Sequence, residues 1–407
     1  MVRRPLSSVP DITIKVSPRG ATRLKDGHVW VYRSDIVSAD EATPGSLVAV
    51  TDHRGQFLGS ALYSSSSQIA VRLISHDVVA DLPALLRQRV ADAISYRQPF
   101  VHDTNAYRVV FSEADFLPGL IVDRYHDILS LQILTQAMDT ELVRSTVIAE
   151  LTERLHPASI VERVDPRVRQ LEELPPRASG LLQGEKTSTI FNMNAVQFKF
   201  EALAGQKTGA FLDQRENYAA AAQYAHGEAL DVFCYQGGFA LHVAPGCAQV
   251  WGVDSSRPAL EVAEQNAALN HPQLKDKDKN KEIEWIEANA FDLLKDYSSS
   301  GQRYDTIILD PPAFAKTKRD LDAALRGYKE LNLRALKMLR PGGILVTCSC
   351  SYHVSFPDFL GMLADAARDA RRNLRLVEVR GQAKDHPVLL NVAETAYLKC
   401  VIANVSE

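Results

Sequence analysis

From Glu216 onward, the apolar positions alternate between two spacings. Apolar residues recurring every three or four positions predict helices at 214–225, 238–244, 257–270, 291–296, 320–339 and 356–372. Between them, short continuous apolar runs predict strands at 229–233, 249–253, 283–287, 305–309 and 343–348, and the chain closes on strands near 374–380 and 396–402. A continuous apolar run is what a strand covered on both faces requires, and its alternation with helices predicts a doubly wound α/β sheet. Three of these runs end in ligand-type residues: Ala229–Phe239 in the Gly237-Gly238 turn, Val250–Asp254 in an acid, and Tyr304–Asp310 in Asp310-Pro-Pro312. Together they describe a nucleoside-cofactor domain.

The pattern upstream is different. From Ile12 to Ile74 short alternating strands, including Ser46–Thr51, Phe57–Leu62 and Ile69–Ile74, are punctuated by turns such as Asp52–Gly55 and predict a small β-barrel. A helical pattern follows at Leu82–Tyr96, with Arg87, Arg89 and Arg97 on its basic side. The Leu117-Pro-Gly119 turn joins two strands, Ile128–Leu134 is another, and Thr140–Leu155 is a helix. Short strands at Ile160–Val164, Gly180–Leu182 and Phe198–Phe200 complete an α+β pattern, with Arg163–Arg177 expected as an exposed loop. The expected domains are residues 1–78, 79–204 and 205–407.

Composition narrows the class. A net charge of −4, with 46% hydrophobic and 24% charged residues, is that of a soluble globular chain, so nucleic-acid binding would need a local patch. Residues 1–36 offer one candidate, with Arg3, Arg4, Lys15, Arg19, Arg23, Lys25 and Arg33 near Trp30 and Tyr32, but a solvated face is an equal reading. There is no membrane-spanning run and no apolar signal core at the start. Five cysteines without metal-type spacing suggest reduced thiols and a cytoplasmic setting, with no metal site.

The site chemistry follows from charge. Phosphate cofactors want a glycine-rich loop with lysine or a well-aimed helix start, and neither is formed here. Asp231, Asp254 and Asp310 instead surround the expected pocket with acid, which suits a sulfonium cation with a free ribose: S-adenosyl-L-methionine. Asp254 can accept the ribose hydroxyls. The polar Gly205–Arg215 stretch reads as a loop wrapping a ligand. Asp310-Pro-Pro-Ala-Phe314 leaves the sheet edge and can present an acid to a flat base, with Phe314 for stacking. Thr347-Cys-Ser-Cys-Ser351 puts two thiols at that edge: Cys348 is expected in the core, and Cys350, expected level with Asp310, faces substrate. A thiolate at Cys350 could add to carbon 6 of a pyrimidine and make carbon 5 nucleophilic, given a base such as Lys316, His353 or His386. Cys234, Cys247 and Cys400 read as structural; Asp385–Pro387 and Glu394–Lys399 either shape the pocket or fill the sheet edge.

These motifs resemble the bacterial large-subunit ribosomal RNA cytosine carbon-5 methyltransferases of the RlmI-like family over nearly the whole chain. The likeness rests on Lys25–Val31, Glu113–Arg124, Gly205–Gly209, Phe211–Arg215, Asp231–Gly238, Val253–Ser255, Asp310–Phe314, Gly327–Asn332 and Ser349–Ser351. It implies a PUA β-barrel, a central α+β domain and a class I methyltransferase domain with a Rossmann-like mixed sheet. It implies Cys350 as the attacking thiol and Asp310 as the acid on the target cytosine. Phe211, Asp213, Gln214, Arg215, Phe233, Cys234, Tyr235, Gly237, Asp254, Ser255, Asn289, Ala290, Phe291 and Asp310 would hold the cofactor, with Asn289 where the family often has an acid. The implied partner is 23S ribosomal RNA or a large-subunit precursor, with no membrane; a homodimer is compatible with it. Two other readings stay open: a base-nitrogen methyltransferase acting at guanine without a thiol, and a non-catalytic RNA-binding assembly factor.

Overall fold

A computed structural model describes residues 12–39, 41–203, 210–276, 279–280, 282–315 and 317–407. Arg3, Arg4, the Gly205–Gly209 segment, Lys316 and the side chains of the charged Lys275–Lys281 stretch lie outside that description. The chain divides into two compact units: residues 1–189, 200–209 and 384–395, and residues 190–199, 210–383 and 396–407.

The first unit begins with six strands: β1 (Thr13–Val16), β2 (Trp30–Tyr32), β3 (Ile36–Ser38), β4 (Leu47–Thr51), β5 (Phe57–Tyr63) and β6 (Ile69–Ser75). They form one sheet in the order β2-β6-β5-β4-β1-β3. Its core is β-branched, with Ile14, Val16, Val31, Val48, Val50 and Val71 fully buried. The expected strands are all present, and α1 (Pro18–Lys25) is an addition. Its start signals lie in the sequence: Ser17 caps the Gly20 N–H at 3.2 Å and Pro18 opens the first turn. The basic stretch here is largely satisfied internally. Arg19 and Arg23 bind the Asp35 carboxylate at 2.6 and 2.9 Å, Arg23 also covers the Tyr32 ring, and Lys25 reaches Asp52 at 3.4 Å.

A second sheet in this unit runs β11-β10-β9-β8-β7, from β7 (Ala106–Phe111), β8 (Leu120–Tyr125), β9 (Ile128–Ile133), β10 (Ser159–Glu162) and β11 (Gly180–Gln183). Two helices, α2 (Leu82–Arg97) and α3 (Glu141–Leu155), share its core through Leu86, Val90, Val147 and Leu151. The stretch expected as an exposed loop, Arg163–Arg177, contains a short helix, α4 (Pro166–Leu171), capped by Asp165. Its charges turn inward: Arg169 is buried against Asp139 at 3.1 Å, and Glu172 accepts from the Ser64 hydroxyl at 2.7 Å and the Gln136 N–H at 3.2 Å. Charge-dense sequence looks solvated until its partners, far along the chain, are known. The hairpin of β12 (Ser188–Met193) and β13 (Val196–Glu201) belongs over residues 190–199 to the second unit.

The second unit is built on seven strands: β14 (Gly227–Val232), β15 (Cys247–Asp254), β18 (Ile283–Glu287), β19 (Tyr304–Leu309), β20 (Leu339–Ser349), β21 (Asn373–Arg380) and β22 (Lys399–Ser406). A small ribbon, β16 (Lys275–Asp276) with β17 (Lys279–Asn280), stands outside the sheet. The order is β18-β15-β14-β19-β20-β22-β21, with β22 alone running opposite to the other six strands. Helices α5 (Arg215–Tyr224), α6 (Gly238–Val243), α7 (Arg257–Leu274), α8 (Ala290–Ser300), α9 (Leu321–Met338) and α10 (Phe356–Ala370) connect the strands. This is the doubly wound mixed sheet that the apolar pattern predicts. Strand order reverses between β14 and β19, and such a switch point opens a crevice at the carboxyl ends of the strands.

Arg97 is the buried clasp of the first unit. Its guanidinium holds both Asp115 carboxylate oxygens, at 3.0 and 2.7 Å, and donates to the Ala93 and Asp385 carbonyls at 2.8 and 2.9 Å. Arg97→Ala would leave Asp115 buried and unpaired, so chemical denaturation should show a loss of about 3–5 kcal/mol. A change under about 1 kcal/mol would contradict this role.

Candidate active site

The site grows from the turn after β14. Phe233, Tyr235 and Gly237 all have positive φ, at 68°, 49° and 86°. Two of the three carry side chains, so the turn is strained, and strain of this kind clusters at functional sites. Asp254 at the end of β15 helps to hold it: one carboxylate oxygen accepts the Tyr235 N–H at 2.9 Å and the other the Ser256 N–H at 2.9 Å. Gly238 admits no side chain, because a Cβ there would lie 2.5 Å from the Tyr218 hydroxyl. Asp231, expected at the pocket, is instead wholly buried beneath the turn and binds the Ala240 N–H at 2.8 Å in the first turn of α6. Burial pushes its carboxyl well up, and its other oxygen has no hydrogen-bond partner.

A cleft opens over this turn. Of the expected residues it is lined by Phe211, Phe233, Cys234, Tyr235 and Asp310. Phe211 is 42% exposed and meets Tyr235 edge-on at 5.2 Å. Gln214 donates to Asp310 at 2.9 Å, and the Tyr397 hydroxyl donates to Asp213 at 2.6 Å. Arg215 and Cys234 are buried, and Ser255 is exposed. Asn289 caps α8 through the Phe291 N–H at 2.9 Å, next to buried Ala290 and exposed Phe291. None of Asp213, Asp231, Asp254 and Asp310 has a Lys or Arg ion-pair partner among the described residues. Asp310 lines the aromatic cleft itself, so the site is acidic rather than basic, which suits the cationic sulfonium of S-adenosylmethionine.

The second half of the site is the Asp310 turn and the end of β20. Register pairs Leu309 with Thr347, so Asp310 is level with Cys348, and Cys350 stands two residues further out rather than level with it. β20 ends at Ser349, and Cys350 lies in the loop with its sulfur 3.9 Å from the Pro311 carbonyl oxygen. Cys234, Cys247, Cys348 and Cys400 are buried, whereas Cys350 is partly exposed. Burial pushes the Cys348 thiol well up, so it stays protonated. Phe314, expected to stack on a base, packs on the Tyr328 ring at 4.7 Å, and Gly327 leaves room for it.

Sequence reasoning missed how the loops are supported. Ser351 accepts the Ala315 N–H at 3.1 Å and shares a hydrogen bond with the Tyr328 hydroxyl at 2.9 Å, joining both loops to α9. The Gly327–Asn332 motif carries that tyrosine. Lys399 was read only as the end of a stretch that either shapes the pocket or fills the sheet edge; the structure places it at the start of the buried strand β22. Of the proposed bases, Lys316 lies outside the described residues, His353 packs on Tyr352, and His386 belongs to the first unit, against Phe111.

This fold and cleft define a class I S-adenosylmethionine-dependent methyltransferase. Residues 116–403 match the family described as S-adenosylmethionine-dependent methyltransferase, and residues 14–76 match PUA-like domain. A relative from Shewanella denitrificans, named ribosomal RNA large subunit methyltransferase I, is 38% identical over 97% of this chain and 99% of its own. A Yersinia pseudotuberculosis protein of the same name is 36% identical over 91% of this chain and 94% of its own. The chain belongs to the ribosomal RNA large subunit methyltransferase I family. In fold it is similar to a solved methyltransferase complexed with SAH, with a TM-score of 0.81 and 20% identity over 97% of this chain and 100% of that one. A Streptococcus mutans methyltransferase structure gives a TM-score of 0.80 at 19% identity over the same shares.

Burial first, and then the charge of Asp213, push the Asp310 carboxyl up to about 7, against the opposing Gln214 hydrogen bond. An unfolded aspartate titrates near 4, so the folded chain holds this proton more tightly and loses stability as pH rises from about 4 to about 7. Asp310→Asn should therefore gain about 2 kcal/mol on wild type between pH 5 and pH 8 in paired denaturation curves. Parallel curves would contradict the shift.

Proposed function

We propose that the chain transfers a methyl group to carbon 5 of a cytosine in 23S ribosomal RNA through a covalent adduct to Cys350. The observation that carries this reading is the exposure of one thiol among five, beside the turn that holds Asp310. A base-nitrogen methyltransferase needs no such thiol. The names of the family relatives supply the class of RNA.

The target base leaves its stack to reach the cleft, at a cost of a few kcal/mol. The Cys350 sulfur bonds to carbon 6, and the electron pair of the carbon 5–carbon 6 bond moves toward carbon 5. Charge builds on the ring at nitrogen 3, where Asp310, half-protonated near pH 7, can share its proton. S-adenosylmethionine, when bound, supplies the electrophilic methyl group. Loss of the carbon 5 proton and of the sulfur then restores the ring. Asp254, Phe211, Tyr235 and the Phe233–Gly237 backbone hold the cofactor in this reading; Gln214 orients Asp310, and Tyr397 orients Asp213. Residues 1–78 form the RNA-gripping barrel and 79–204 a central domain, so binding weakens as salt rises. No helix among the described residues is long and apolar enough to cross a membrane, and the cytoplasm is where this substrate is found.

Undermodified large-subunit RNA, labelled S-adenosylmethionine and nucleoside analysis test this. Wild type should yield 5-methylcytidine and Cys350→Ala none, while Asp310→Asn slows transfer by about 10²–10⁴-fold. Label on a nitrogen, or full activity of Cys350→Ala, would overturn the proposal.

A further inference from the structure

Lys399 is 4% exposed at the start of β22, a strand covered on both edges by β20 and β21. A buried ammonium is costly unless paired, yet Lys399 has no carboxylate partner among the described residues. Its Nζ donates to two carbonyl oxygens, those of Ser351 at 2.6 Å and Tyr397 at 2.8 Å. The first of these places it at the nucleophile's loop. Ser351 follows Cys350 in the chain, and Ser349, which precedes it, pairs with Lys399 across β20 and β22.

The number of bonds matters. A neutral amine has two N–H groups and one lone pair. Two carbonyls take the two N–H groups, which leaves the third position to receive a proton. Burial lowers Lys399 to about 8, and the opposing influence is the charge of Cys350. The amine is therefore poised between its two forms near neutral pH, and the ionisable group that acts on it is the proposed nucleophile.

We infer that Lys399 is the positioning residue that activates Cys350, taking its proton and holding the thiolate as an ion pair. The S–H bond breaks, its electron pair stays on sulfur, and a new N–H bond forms on Nζ. The ammonium then faces the thiolate, while its other N–H groups keep the Ser351 and Tyr397 carbonyls. This rests on the reading of Cys350 as the nucleophile. The other titratable groups around the pair are Tyr328 from α9, the Cys348–Cys400 pair one register step along β20 and β22, and Asp310 at the end of β19. Burial keeps Tyr328 and Cys348 protonated across neutral pH; Asp310 titrates there.

The test is alkylation of Cys350 by iodoacetamide from pH 6 to 10, read by mass spectrometry of the peptide that carries it. Wild type, Lys399→Met and Lys399→Arg are compared, each also in an Asp310→Asn background to remove that titration. Lys399→Met should react about tenfold slower at pH 7, with its half-point about one unit higher, and Lys399→Arg should stay near wild type. A Lys399→Met profile that overlays wild type overturns the inference. Calorimetric binding of S-adenosylmethionine reports whether each variant is folded. If Lys399→Met is not, wild type decides alone: a half-point below that of free cysteine supports the pair, and one at or above it overturns the pair. No RNA enters this experiment. Its failure is therefore distinct from failure of the covalent mechanism, which shows as 5-methylcytidine made by Cys350→Ala.

Discussion

Parallel strands covered on both faces accept polar side chains only where they leave the sheet. The site depends on that constraint and on register. β15, β14, β19 and β20 are locked side by side, with Val253 beside Val232, Val232 beside Leu309, and Leu309 beside Thr347. Each strand turns polar within one to three residues of that line. Asp254, the Phe233–Gly238 turn, Asp310 and Cys350 thus reach one edge from segments spread across more than a hundred positions. Asp254 closes β15, and Phe233, Asp310 and Cys350 are the first residues past β14, β19 and β20.

The same constraint explains the chemistry. Burial first, and neighbouring acids after it, raise the carboxyls of Asp231 and Asp310. Asp231, deepest, is pushed furthest and serves the fold by binding the first turn of α6. Asp310, nearer solvent and bonded by Gln214, settles where it can give or take a proton at neutral pH. Asp254 uses both oxygens on backbone N–H groups and fixes a strained turn. Three aspartates of similar sequence context therefore do three different things, and depth separates them.

That separation marks what the sequence could carry. Long apolar runs and helical spacing made the doubly wound sheet legible, since burial on two faces leaves an unmistakable pattern. Short elements with polar sequence were not legible. α1 looked like part of a run of strands, and α4 looked like a charged loop, because Asp35, Asp139 and Ser64 are distant in the chain and supply what those segments need. At the candidate site, Asp310 and Cys350 were expected at the ends of their strands and lie there, but their relative level was off by two residues. Register across a parallel pair is set by packing and is not written in either strand alone. For Lys399 the sequence left pocket and sheet edge open, because the choice depends on β22 lying inside the sheet, between β20 and β21.

The most direct test of the covalent account uses large-subunit RNA containing 5-fluorocytidine. Fluorine at carbon 5 cannot leave as a proton, so the final elimination is blocked and the sulfur–carbon bond persists. Digestion and mass spectrometry after incubation with S-adenosylmethionine should find a methylated fluorocytidine nucleotide on the peptide carrying Cys350, and none when the cofactor is withheld. Absence of an adduct, or its attachment to any other residue, would contradict the mechanism.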